Sequence, residues 1–299
     1  LHDTALYWSP FGQLVILLLI QVGGMGVVTI AVAIFMFAGK RIGLKQRWVM
    51  QESISAPQVG GIVRMTGFIL KTAFLIEGIG ALLLALRFCP QFGLGRGLWY
   101  AVFHSVSAFC NAGFDLMGVN SPFSSLTDYV GDPLVSNVIA FLIIIGGVGF
   151  LTWNDIREHK LHFRRYRLQS KLILTTTLAL ILTGLLFFLL YEFEQGQWVD
   201  MSLWERINAA FFQSVTPRTA GFNTVDLTGL SQPAQLLIIL LMLVGGSPGS
   251  TAGGFKTTTL AVMLLGIRAV FRHKERPQCF GRRIADESIR NASAIFLLY

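Results

Sequence analysis

The chain has 299 residues, of which 53% are hydrophobic and 13% charged, with a net charge of +8. A soluble domain carries about 25% charged residues, so this composition, with a mean hydropathy of +0.61, excludes an ordinary water-facing surface. Three cysteines (Cys89, Cys110, Cys279) show no metal-ligand or CxxC spacing, which argues against a zinc site and a disulfide framework.

Taken in order, apolar runs near the roughly 20 residues needed to cross a bilayer as a helix alternate with mixed stretches. Gly12 to Phe37 predicts a first span with a glycine cluster (Gly23, Gly24, Gly26), followed by the basic run "GKRIGLKQR". Ile62 to Leu86 is the second span, interrupted by Lys71 and Glu77. The third, "PLVSNVIAFLIIIGGVGFLTW", contains Gly146, Gly147 and Gly149 and ends at the basic "REHKLHFRRYR". Leu172 to Tyr191 is the fourth. "PAQLLIILLMLVGGSPGSTAGGFKTTTLAVMLLGIRAVF" is long enough to cross but is broken by Gly, Ser and Pro, and a further helix begins at Asn291. The sequence opens at Leu1 without a Met and reads as a fragment.

Basic residues predict the orientation. Lys40, Arg41, Lys45, Arg47, Arg64 and Lys71 crowd one connection, Arg157, Lys160, Arg164, Arg165, Arg167 and Lys171 the next on that side, and Arg268 through Arg290 the last. The opposite connections hold Arg87, Arg96, Arg206 and Arg218. By the positive-inside rule the basic side is cytoplasmic and the mixed regions face outward.

Those outward regions repeat a phrase. "GLWYAVFHSVSAF" and "LWERINAAFFQSV" are each half a crossing long, which suits a re-entrant half-helix. Each leads into a polar glycine-bearing tract, Asn111-Ala112-Gly113-Phe114 and Thr219-Ala220-Gly221-Phe222. A span with central glycines then follows, the second marked by Gly245 and Gly246. Internal repeats are a feature of pores and transporters, and irregular backbone at membrane depth survives only against water or buried in protein. A half-helix entering from outside points its partially negative C-terminal end inward, toward a cation. Backbone carbonyls of the tract can then replace the ion's hydration shell, with Gly113 and Gly221 supplying the φ/ψ freedom that this requires. The fold class expected is all-α, a polytopic membrane protein of span, pore half-helix, span repeats.

The sequence resembles the Trk/Ktr/HKT superfamily of cation translocating subunits, and within it bacterial KtrB-type potassium uptake proteins. The resemblance rests on "GQLVILLLIQVGGMGVVTI", "GKRIGLKQRWVMQES", "SAFCNAGFD", "QSVTPRTAGFNTVD" and "GGSPGSTAGGFKTTT" and covers essentially the whole chain. It implies four repeats around one pore. Residues 1–56 would hold the second half of repeat 1, 57–160 repeat 2, 161–280 repeat 3 with a broken second helix, and 281–299 the start of repeat 4. The first-repeat filter would precede Leu1 and the fourth follow Tyr299, which leaves the choice between potassium and sodium open. Gly113 and Gly221 become the filter glycines of repeats 2 and 3. Gly245, Gly246, Ser247, Gly249, Ser250, Thr251, Gly253, Gly254 and Lys256 become an intramembrane gate loop, in which Pro248 and Ala252 depart from the expected pattern. The resemblance further implies the plasma (inner) membrane with its lipid, a homodimer, a cytoplasmic nucleotide-binding regulatory subunit of KtrA/TrkA type, no nucleic acid, and no cofactor besides the transported K+ or Na+.

Other readings are weaker. "GSTAGGFKT" nearly matches a P-loop, but Phe255 separates Gly254 from Lys256 and a span, not a strand, precedes it. An enzyme would need a constellation of acids, bases or ligands; His159 and His162 lie among arginines without a carboxylate at useful spacing, and His104 reads as a packing or backbone partner. An ion-coupled secondary transporter also uses broken helices, but Glu77 is the one clear carboxylate at membrane depth. Glu77 is expected to pair with a neighbouring helix or a half-helix end, and Arg218 to pin its tract through Asp226.

Overall fold

The computed structural model describes residues 2–26, 48–49, 51, 62–119, 121–273 and 277–299. Helix α1 (Pro10–Met25) starts on a Ser9 cap that accepts from Gly12 N–H at 3.3 Å, with proline in its first turn. It ends at Gly26, whose φ of +82° leaves the helical region. The second half of the first predicted span and the "GKRIGLKQR" run, with Lys40, Arg41, Lys45 and Arg47, lie outside the described residues.

Helix α2 (Ile62–Phe92) has 31 residues, roughly 46 Å at 1.5 Å per residue, and exceeds a hydrocarbon core of about 30 Å. The chain reverses at Gly93 (φ +81°), and α3 (Leu94–Phe109) runs back along α2. Gly97 sits against the Cys89 backbone, where a Cβ would approach the Cys89 Cα to 2.5 Å. This contact requires a residue without a side chain. Helix α4 (Pro133–Val148) starts on Asp132, whose carboxylate accepts from Leu134 and Val135 N–H and from Arg87 Nε at 2.6 Å.

One expected span is not straight. At Gly149 (φ +94°) the chain turns by 95° into α5 (Phe150–His159). Helix α6 (Leu168–Phe187) continues through a wider turn to Glu192 as the second crossing-length helix beside α2. Next come α7 (Leu203–Val215), closed by a Ser202/Glu205 capping box, α8 (Gln232–Leu243) and α9 (Thr257–Phe271). The last two are the halves of the predicted broken span. A two-residue hairpin, β1 (Gln278–Cys279) with β2 (Arg282–Arg283), turns at Phe280 and Gly281, both at positive φ, as a tight hairpin turn requires. Helix α10 (Asp286–Leu298) begins ahead of the expected Asn291.

Burial explains the arrangement. Phe103, Val106 and Phe109 of α3 pack in one apolar core with Leu84 and Phe88 of α2 and Ile139 and Leu142 of α4. A second core gathers Phe188, Trp198, Ala209, Ala210 and Ile238 around α6, α7 and α8, with the Phe188 and Trp198 rings stacked at 5.9 Å. Leu75, Leu82 and Leu86 of α2, and Leu178, Leu182, Leu186 and Leu190 along α6, are instead exposed in rows. Apolar rows of this length on outward faces suit lipid and would be a liability in water.

Candidate functional site

The two half-helices deliver their tracts to one place. α3 and α7 have 16 and 13 residues, roughly 24 and 20 Å, short of a full crossing. Past their ends the backbone enters the left-handed region at Asn111 (φ +52°) and Gly113 (φ +75°), and again at Thr219 (φ +69°) and Gly221 (φ +89°). Asparagine tolerates this region; β-branched threonine adopts it only when its surroundings enforce it. The tracts touch: a Cβ at Gly113 would overlap the Ala220 carbonyl oxygen, and one at Gly221 would stand 3.4 Å from the Gly113 Cα. Among the described residues, the carbonyls of Asn111, Ala112, Gly113, Thr219, Ala220 and Gly221 accept no hydrogen bond. Six oxygens in close quarters without partners can serve a cation.

Phe114 and Phe222, also counted in the expected carbonyl set, differ. The Phe114 carbonyl accepts from the Ser107 hydroxyl at 2.6 Å, and the Phe222 carbonyl from the Thr216 hydroxyl at 2.5 Å. Ser107 and Thr216 each end an "S-V-[ST]" triplet at their half-helix, Ser105 to Ser107 and Ser214 to Thr216, and sequence reasoning assigned these hydroxyls no task. His104 is fully buried, as a backbone partner: its Nδ1 meets the Tyr100 carbonyl at 2.7 Å and its Nε2 accepts from Leu116 N–H at 3.3 Å. It ties α3 to the segment just beyond the Asn111–Phe114 tract.

Glu77 lies where α1 and the end of α3 approach α2. Gln21 Nε2 donates to both its carboxylate oxygens, at 3.0 and 3.2 Å, and the Cys110 thiol lies 3.8 Å from one of them. Its carbonyl accepts from the Ser105 hydroxyl at 2.6 Å. The expected Arg218–Asp226 pairing is not formed. Asp226 is exposed and closes its own turn, accepting from Thr228 N–H and hydroxyl at 2.9 and 2.8 Å. Those bonds, the hydroxyl's first, hold its carboxyl below the usual carboxylate range. Arg218 is 6% exposed, and its buried Nε has no partner. The carboxylate proposed for Arg218 was already satisfied two residues along its own chain.

The segment between α8 and α9 is a compact loop. Gly245 N–H donates to Phe255 O at 2.9 Å and Gly246 N–H to Gly253 O at 3.0 Å, so the two arms pair. A Cβ on Gly245 would overlap the Gly253 carbonyl. Lys256 Nζ donates to Ala252 O at 2.9 Å, and Ser247 and Thr257 hydroxyls lie 3.0 Å apart. Ser250 Oγ stands within 3.4 Å of both the N–H and the O of Ala252. The loop docks on the break in the preceding repeat, which explains the bend at Gly149. Ser247 N–H donates to Gly147 O (3.0 Å), Thr251 N–H to Gly146 O (3.2 Å), and Phe150 N–H to Gly249 O (2.7 Å). The Thr251 hydroxyl donates to Phe109 O and accepts from Asn111 Nδ2, both at 2.8 Å. Gly254 reaches the other tract, where its Cβ would stand 3.4 Å from Thr219 Cγ2. The loop therefore touches the ends of both half-helix tracts.

His159, expected to lack a carboxylate neighbour, lies beside Asp155 and Glu158, with one ligand-type atom from each within 4.8 Å of the others. Asp155 is engaged elsewhere: it accepts from Arg167 N–H at 3.0 Å and the Ser170 hydroxyl at 2.6 Å at the start of α6, with Arg167 Nε at 3.4 Å. It is a helix cap.

Comparison with known proteins agrees with this geometry. A family model described as "TrkH: Cation transport protein" matches residues 2–299. The potassium/sodium uptake protein NtpJ of Enterococcus hirae is 39% identical over 296 residues, covering 99% of this chain and 64% of that protein. The Ktr system potassium uptake protein B of Bacillus subtilis is 40% identical over 294 residues, covering 98% and 65%. The chain thus spans under two thirds of the length of these relatives. The crystal structure of the potassium transporter TrkH from Vibrio parahaemolyticus superposes with a TM-score of 0.68 over 94% of this chain and 55% of that one, at 19% identity, a likeness of fold.

Proposed function

Because the chain belongs to the TrkH cation transport family, we propose that it is part of the pore-forming subunit of a monovalent cation uptake system. Potassium is the ion this reading favours, with sodium as its competitor. The observation that carries it is the pair of abutting tracts, Asn111–Phe114 and Thr219–Phe222, each at a half-helix end, with the carbonyls of Asn111 to Gly113 and of Thr219 to Gly221 unbonded among the described residues. Ions shed water onto those oxygens and move down their electrochemical gradient without covalent chemistry. The loop Gly245–Lys256 is the gate. Residues 1–56, 57–160, 161–280 and 281–299 are pieces of four successive repeats in the inner membrane, basic connections inward. A second copy and a nucleotide-binding regulatory subunit of KtrA/TrkA type complete the assembly. Expressed from its full gene in a bacterium lacking potassium uptake systems, the protein is expected to restore growth at low potassium and to take up rubidium; failure of both in cells that accumulate the protein in their membrane would refute the reading.

The alternative, an ion-coupled secondary transporter, would need a carboxylate free to load and release its coupling ion. Both Glu77 oxygens are instead held by Gln21. Glu77→Gln is therefore expected to leave the dependence of uptake on sodium and proton gradients unchanged, whatever it does to protein abundance. A variant that still transports but has lost a gradient dependence present in the wild type would favour the alternative.

A further inference from the structure

The two tracts are fastened in the same way, by a residue that no motif comparison above assigns a role. Ser107 accepts the Ala112 N–H on its carbonyl at 2.9 Å and donates its hydroxyl to the Phe114 carbonyl at 2.6 Å. Thr216 accepts the Ala220 N–H at 3.1 Å and donates to the Phe222 carbonyl at 2.5 Å. In each repeat one residue at or near the half-helix end holds the residue before the tract's glycine and the residue after it. The glycine is left as the free crown of an arch.

This fastening survives a difference in length. The hydroxyl reaches across seven residues in the second repeat and six in the third. The extra residue lies between the hydroxyl-bearing residue and the alanine, where Asn111 and Thr219 take up left-handed backbone. Different connections that converge on the same pair of bonds argue that the bonds are what the segments are built to make. Burial alone would not call for a hydroxyl at either position, since both Ser107 and Thr216 are shut away from solvent.

We propose that Ser107 and Thr216 are positioning residues for ion selection: their hydroxyls turn the Phe114 and Phe222 carbonyls toward the half-helices and so fix which oxygens face the ion. The inference rests on the reading of the tracts as filter walls. With the hydroxyl in place, the oxygens left to the ion are those of Asn111, Ala112 and Gly113, and of Thr219, Ala220 and Gly221. Without it, the phenylalanine carbonyl regains its freedom and the arch loosens at one foot. An ion that demands closer ligands than potassium then finds a wall able to close on it. Sodium gains relative to potassium.

The test uses the full gene product in a potassium-uptake-deficient bacterium, with initial rates of potassium uptake measured against rising sodium and normalised to protein in the membrane. Thr216→Val keeps the shape of the side chain and removes the hydroxyl; Thr216→Ser keeps the hydroxyl. Ser107→Ala and Ser107→Thr form the matching pair in the other repeat. A hydrogen bond of this kind contributes about 1 kcal/mol, so the hydroxyl-free variants should lose roughly fivefold to tenfold in potassium preference over sodium. The hydroxyl-retaining variants should stay within about twofold of wild type on the same scale. Wild-type preference in Thr216→Val and Ser107→Ala would overturn the positioning role while leaving the transport reading intact. Should one of the two fail to reach the membrane, the other decides; failure of both would make the bonds folding elements and overturn the proposal. A wild-type protein with no uptake above the empty vector would instead remove the transport reading on which the inference stands.

Discussion

Gly113→Ala is expected to lower cation uptake at least roughly a hundredfold, more than 2.5 kcal/mol at about 1.4 kcal/mol per tenfold, and Gly221→Ala to do far less. Both positions have positive φ, +75° and +89°, where a Cβ costs about 1–2 kcal/mol in backbone strain alone. Their surroundings separate them. A Cβ at Gly113 would overlap the Ala220 carbonyl oxygen, one of the oxygens without a partner, so either that oxygen turns away or the tracts move apart. At Gly221 the nearest atom to a Cβ is the Gly113 Cα at 3.4 Å, an ordinary contact. The strain cost predicts a loss of about tenfold there. Rubidium uptake per unit of membrane protein measures both, and equal activity of the two variants would show that the tracts do not abut as described.

Under the gating role proposed for the loop, Thr251→Val is expected to raise uptake in cells that lack the proposed regulatory subunit. The Thr251 hydroxyl is the crossing point of the side-chain anchorage of the loop between α8 and α9, donating to Phe109 O and accepting from Asn111 Nδ2. Its loss leaves the loop with main-chain bonds to Gly146 and Gly147 and from Phe150. Two bonds of about 1 kcal/mol each correspond to a shift of the closed state by tenfold or somewhat more. Thr251→Ser keeps both bonds and should behave as wild type. A Thr251→Val protein as quiet as its parent would mean that the loop is held shut elsewhere.

Much of this architecture was legible in the chain. The half-helices appear where 13-residue apolar stretches precede glycine-bearing polar tracts, because nothing that short can cross a bilayer. The break between α8 and α9 was readable because Gly245, Gly246, Pro248, Gly249, Gly253 and Gly254 leave no helix-forming run. The bend at Gly149 was not readable. Its flanks, "IIIGGVGFLTW", are as apolar as a continuous span, and the partners that satisfy the opened backbone lie about a hundred residues later in the sequence. The hydroxyls of Ser107 and Thr216 were hidden for a related reason: a repeated phrase shows that something is reused, but the differing reach of the two bonds obscures which atoms meet. Arg218 and Asp226 fail in the opposite sense. They stand near enough in sequence to suggest a pair, yet Thr228 supplies the closer partner for the carboxylate.

The right-angled turn at Gly149 also has a mechanical consequence. Phe150 is the first residue of α5 and, through its N–H, the donor to Gly249 of the docked loop. Ten residues of helix, roughly 15 Å, thus form a lever arm whose fulcrum is a single glycine and whose short end is bonded to the loop itself. At the far end Arg157 lies over the Phe68 ring of α2, at 4.7 Å from its centre. Between that basic end and the loop, Asp155 ties the same helix to Arg167 and Ser170 at the start of α6, so the bend links three elements through one short rod.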